Sequence, residues 1–89
     1  TLSKGGMIKE ILNKFKSNPK ETTMITDTVG DIKIAKKMKL NTIAVSWGFH
    51  SSEILKKSNP DYLAKNFKIL YKNIVQFYYT LLYCTFFFG

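Results

Sequence analysis

The chain has 89 residues, 14 basic against 6 acidic side chains, a formal charge of +8 and 45% apolar residues. Those figures describe one small globular unit and exclude both a multidomain enzyme with a large cleft and a structureless polymer. All the basic residues are lysine and none is arginine. The charge therefore says less about nucleic-acid recognition than its size suggests, because base and phosphate readers exploit the guanidinium fork.

Cys84 is the single cysteine, so an intramolecular disulfide and a cysteine metal cluster are both excluded, and a reducing, cytoplasmic setting is expected. No secretory signal is apparent, although the first residue is Thr rather than Met.

In chain order, Met7, Ile8, Ile11, Leu12 and Phe15 recur at helical spacing, which predicts an amphipathic helix over residues 5–16. Ser17-Asn18-Pro19 breaks it. The β-branched, uncharged run of residues 22–26 (TTMIT) predicts a short buried strand. Residues 27–31 (DTVGD) supply turn and cap residues for a second helix through Ile32, Ala35, Lys36 and Met38.

Residues 42–46 (TIAVS) predict a second strand, followed by a loop at Trp47-Gly48-Phe49-His50. Ser51 or Ser52 can cap a short helix that ends before Asn59-Pro60. Residues 61–64 (DYLA) suit a third strand and residues 67–74 a closing helix. This alternation is the pattern of βαβ units on a parallel sheet, in which ligands bind beyond the C-terminal strand ends. Those ends are residues 27–31, 47–51 and 65–66.

Beyond Lys72 the chain carries no charge, and residues 77–89 (FYYTLLYCTFFFG) are rich in aromatics. The stretch falls short of the ~20 residues of a spanning helix, so a membrane anchor is not expected. Truncation or a shifted reading frame is the favoured origin of this tail. The unit boundary is placed at residues 74/75.

The sharpest local feature is the strand of residues 22–26 running into Asp27-Thr28-Val29-Gly30-Asp31. Two carboxylates at a strand-to-helix turn suit Mg²⁺, which takes one or two carboxylates with phosphate oxygens and water. The same spacing equally suits a turn aspartate and a first-turn acid favoured by the helix dipole. Lys4, just before the first helix, could bring positive charge to a phosphoryl group, or could be an ordinary solvated lysine.

The runs S-K-G-G-M-I-K-E-I-L, N-P-K-E-T-T-M-I-T-D-T-V-G-D-I-K-I-A-K-K, N-T-I-A-V-S-W-G-F-H and N-P-D-Y-L, in this order, together resemble the C-terminal half of the haloacid dehalogenase-like (HAD) hydrolase superfamily, particularly its phosphoglycolate phosphatase-like branch. The resemblance spans about residues 2–74. It implies an α/β fold, the C-terminal part of a Rossmann-like three-layer core with a parallel sheet. It also implies Mg²⁺-dependent hydrolysis of a small phosphorylated metabolite through an aspartyl-phosphate.

Carried over residue by residue, Lys4 matches the lysine that neutralises nucleophile and phosphoryl oxygens. Asp27 matches the acid nearest Mg²⁺, and Asp31 its partner, which ligates directly or orients the metal's waters. Thr26 stands where the family usually has a small residue. Trp47 and Gly48 match the border of the substrate site, with Gly48 allowing a tight turn, although Trp47 and Phe49 read first as core packing. His50, the one histidine, has no role that the resemblance requires.

The nucleophile-bearing D-x-D segment and the cap domain have no counterpart in these residues, so the chain reads as a fragment, inactive by itself. A receiver-like module is the alternative, disfavoured because Lys4 precedes Asp27. A basic phosphate or nucleic-acid binder is another, disfavoured because the lysines lack interleaved stacking aromatics. No specific nucleic-acid partner is expected, and the substrate and oligomeric state are left open.

Overall fold

The computed structural model describes residues 3–80 and 85–88, with side chains described for residues 3–77. The elements run in the order α1 (Lys4–Lys14), a 3-10 turn (Pro19–Glu21), β1 (Thr22–Thr26), α2 (Val29–Lys37), β2 (Asn41–Val45), α3 (Ser52–Lys56), β3 (Tyr62–Ala64), α4 (Phe67–Thr80) and β4 (Thr85–Phe88). The four strands form one parallel sheet in the order β3-β2-β1-β4.

Each strand is short and uncharged because a parallel sheet is covered on both faces. All five residues of β1 are buried. Their alternation divides the core between the two faces. Met24 packs with Ile8 and Leu12 of α1 and with Ala35 of α2, and Ala44 packs with Ile32 of α2 and Leu55 of α3. Ile25, Ile43 and Val45 point the other way, onto Leu70 of α4. The result is three layers, with α1, α2 and α3 on one face and α4 on the other, which is the α/β three-layer core that the sequence predicts.

Local chemistry fixes the boundaries. Ser3 caps α1 by accepting the Gly6 N–H, Thr28 caps α2 by accepting the Asp31 N–H, and Ser51 caps α3 by accepting the Ile54 N–H. Lys16, Lys39 and Asn59 lie at φ 52°, 63° and 54°, the left-handed geometry that ends a helix. The edge strand β3 is tied to β2 by Asp61, whose carboxylate accepts both the main-chain N–H and the hydroxyl of Thr42.

Three observations add detail to the sequence reading. The apolar face of α1 is split: Ile8 and Leu12 are buried, whereas Met7, Ile11 and Phe15 are 47%, 45% and 69% exposed. Such a broad apolar stripe needs neighbours on two sides, and α2 and the sheet supply one. The closing helix, expected over residues 67–74, extends to Thr80. Residues 85–88 of the aromatic tail pair in parallel with β1, Thr22 opposite Thr85. Cys84 and the rest of residues 81–84 lie outside the described residues. Among the described residues no helix is long and apolar enough to cross a membrane.

Candidate active site

The chain leaves β1 toward β2 on one side, while β4 returns to the other side of β1. Winding therefore reverses at β1, and a crevice opens beyond its C-terminal end. Asp27 is the first residue past that end, Asp31 lies in the first turn of α2, and Lys4 begins α1. The helices run antiparallel to the strands, so the sheet brings both helix starts to the strand end.

Lys4 and Asp31 meet directly. The Lys4 ammonium donates to Asp31 Oδ1 at 2.6 Å, and the Thr26 hydroxyl donates to Asp31 Oδ2 at 2.8 Å. Asp31 is 5% exposed. Burial pushes its carboxyl up, but the Lys4 hydrogen bond and charge and the Thr26 and Thr28 donors outweigh it, holding the group below the usual carboxylate range. A lysine in the first turn of a helix opposes the helix dipole, and α1 has no acid there to offset it. The local rule is broken at Lys4 because the residue is aimed at Asp31.

Asp27 is held by the loop of residues 47–50. The Phe49 N–H donates to Asp27 Oδ2 at 2.8 Å, and the His50 N–H donates to the Asp27 main-chain oxygen at 3.0 Å. A Cβ at Gly48 would lie 2.1 Å from Asp27 Oδ2, so only glycine lets the loop close over the acid. Its φ is not positive; proximity, not backbone freedom, sets the requirement. His50 closes the clasp from the far side, its Nδ1 accepting the Val29 N–H at 3.0 Å and satisfying a donor at the start of α2. The sequence holds no signal for this bond, because it joins residues from different loops.

An open pocket of about 290 Å³ adjoins Asp27, lined by Ile25, Thr26, Val45, Trp47, Phe67 and Leu70. Trp47 and Phe49, read from sequence as core residues, are 42% and 78% exposed. Trp47 instead faces Phe67 across the pocket rim, ring centroids 4.6 Å apart. The turn of residues 47–50 spends its polar groups on Asp27 and leaves the rings outside the core.

The structure thus brings Lys4, Asp27, Asp31, Trp47 and Gly48 to one end of the sheet. Among the described residues no group of three or more His, Cys, Asp and Glu side chains is placed to hold a metal. What is present is two carboxylates, the hard oxygen donors that Mg²⁺ uses with phosphate oxygens and water, and a lysine ammonium paired with one of them.

Known proteins resemble the chain in sequence and in fold. The HAD-hydrolase-like family matches residues 3–70. Pyrophosphatase PpaX of Oceanobacillus iheyensis is 28% identical over 61 residues, a stretch that covers 68% of this chain and 28% of that protein. A predicted phosphatase from Clostridium acetobutylicum superposes with a TM-score of 0.76 at 28% identity, covering 81% of this chain and 33% of that one. A haloacid dehalogenase-like hydrolase from Streptococcus pneumoniae gives 0.71 at 27% identity, covering 78% and 33%. The chain therefore spans about a third of the length of these solved relatives. With its parallel sheet, its acid-bearing turn after β1 and a match over most of its length, it belongs to the HAD-hydrolase-like family.

Proposed function

We propose that the chain is the C-terminal part of a Mg²⁺-dependent phosphatase core that hydrolyses a small phosphate monoester, and that it supplies half of the active site. The carrying observation is the convergence of Lys4, Asp27 and Asp31 beyond the end of β1. Its relatives include a pyrophosphatase and a predicted phosphatase, which supports a phosphorylated small molecule as substrate.

In this reading Asp27 is the carboxylate that holds the ion, and Mg²⁺, when bound, supplies charge neutralisation for phosphate oxygens. Lys4 presents its ammonium beside the same point, kept there by Asp31, and lowers the cost of gathering negative charge around a phosphoryl group. Trp47 and Phe67 border the side from which the organic part of the ester would approach. The attack itself needs a nucleophilic carboxylate, and the sequence has no D-x-D segment to supply one. By itself the chain is therefore inactive, and the aspartyl-phosphate forms on a complementing segment.

The test is to co-express the chain with the part of the Clostridium acetobutylicum phosphatase that it does not match, and to assay p-nitrophenyl phosphate with and without Mg²⁺. Mg²⁺-dependent turnover that disappears in Asp27→Asn is expected. No turnover, or turnover unchanged in Asp27→Asn, overturns the reading.

A further inference from the structure

β1 has two edges, and only one of them is held by a strand inside the family match. β2 pairs with β1 from Thr23 to Thr26, and β4 pairs with the opposite edge from Thr22 to Ile25. The HAD-hydrolase-like match covers residues 3–70, so β4 lies beyond it. β4 stops opposite Ile25, two residues short of Asp27, and the chain carries no acid after Asp61. The strand beside the site therefore brings no carboxylate to it.

The proposed reaction needs a carboxylate there, and strand spacing limits where one can enter. Adjacent strands lie about 4.8 Å apart, so a strand paired with β1 ends beside Asp27, whereas a strand added outside β4 would lie about twice as far away. The β2 side is closed, because β2 is paired with β3 on its other edge. β4 is the outermost strand and bonds one neighbour, while β1 and β2 bond two each, which makes β4 easier to exchange than either.

Resting on the phosphatase reading above, we propose that the β1 edge covered by β4 is the docking site of the complementing segment. The segment enters as a parallel, mostly apolar strand with an acid just past its C-terminal end, and β4 leaves to admit it. Its apolar character follows from β1, which is buried along its whole length. Main-chain hydrogen bonds supply the affinity of such strand addition, and one uncharged strand can replace another in making them. β4 is then a tethered competitor, and the apparent affinity of the segment is reduced by the fraction of chains whose edge is closed.

The strand register provides a reversible lock. Thr22 lies opposite Thr85. Paired strands are about 4.8 Å apart, inside the Cα separation that a disulfide spans. Thr22→Cys with Thr85→Cys, in a Cys84→Ser background that removes the one native thiol, closes the edge on oxidation and reopens it on reduction. The chain is titrated with a tagged polypeptide, the part of the Clostridium acetobutylicum phosphatase that it does not match. The reduced form is expected to bind at least about tenfold more tightly than the oxidised form. Phe86→Pro and Phe87→Pro approach from the other direction. Alternate residues of an edge strand bond inward, so one of the two removes an N–H from the ladder. That variant is expected to bind about tenfold more tightly than the parent, the scale of one or two lost strand hydrogen bonds.

Equal binding by the oxidised and reduced forms overturns the proposal, as does equal binding by the parent and both proline variants. The lock compares one protein in two states, so a folding defect in a proline variant does not reach it. If either result is found with a parent complex that hydrolyses p-nitrophenyl phosphate with Mg²⁺, the phosphatase reading stands and the docking proposal alone falls. If the parent, the reduced form and the proline variants all fail to bind, both fall.

Discussion

Lys4 and Asp31 depend on each other unequally. The lysine side chain is 47% exposed and the aspartate 7% exposed, so the carboxylate loses more when the pair is broken. The folded-state value of Asp31 lies below that of a free aspartate, about 3.9. Its contribution to stability is therefore present above about pH 4 and is lost as pH falls through the lowered folded value. Lys4→Met is expected to cost about 1 kcal/mol near neutrality, screening at the half-exposed lysine keeping the figure small. It should also flatten the acid arm of the stability curve, as measured by urea unfolding from about pH 2 to about pH 6.

Gly48 gives a second residue-level prediction. In Gly48→Ala the new methyl meets the Asp27 carboxylate, so either the loop or the acid must move. The expected outcome is loss of the Phe49 N–H bond to Asp27, seen as a large shift and faster exchange of the Phe49 amide. The place of Asp27 and Asp31 at a strand-to-helix turn is legible as a local pattern, whereas Lys4 is singled out by the family resemblance and not by its spacing. The Thr26 hydroxyl and the His50 imidazole are not legible, because their partners are set by how separate loops meet.

Among the elements, α2 is the pivot. Its start accepts support from Thr28 of its own turn and from His50 of the next loop, and its first turn carries Asp31. His50→Ala removes the acceptor of the Val29 N–H, and a loss of about 1 kcal/mol is expected, with partial rescue by His50→Asn. Thermal unfolding of the three proteins checks this, and equal stability of the alanine and parent chains would contradict it. At the other end of α2, Lys39 holds a left-handed conformation with φ 63°. Lys39→Gly should stabilise the chain by up to about 1 kcal/mol, since glycine carries no Cβ penalty there.

Element order was readable from composition because parallel strands are continuous apolar runs bounded by turn residues. Helix faces were not. The Met7, Ile11 and Phe15 stripe has the spacing of a buried face, yet the burial of a stripe depends on how many neighbours the fold places beside it.

For the whole molecule, the +8 charge recedes as a functional cue. The lysines stand on exposed faces of several helices, and the single described salt bridge, Lys4 to Asp31, joins two site residues. Nonspecific affinity for DNA is expected at low salt and should vanish by about 200 mM, a loss that filter binding or fluorescence anisotropy would show.

The pairing of β4 with β1 has a bearing on the order in which the chain folds. β1, β2 and β3 are joined by short helical crossovers, so their contacts close small loops, whereas residue 22 waits for residue 85. Loop-closure entropy and contact order place that last pairing late. The strand that delivers Asp27 therefore pairs with β2 before it pairs with β4.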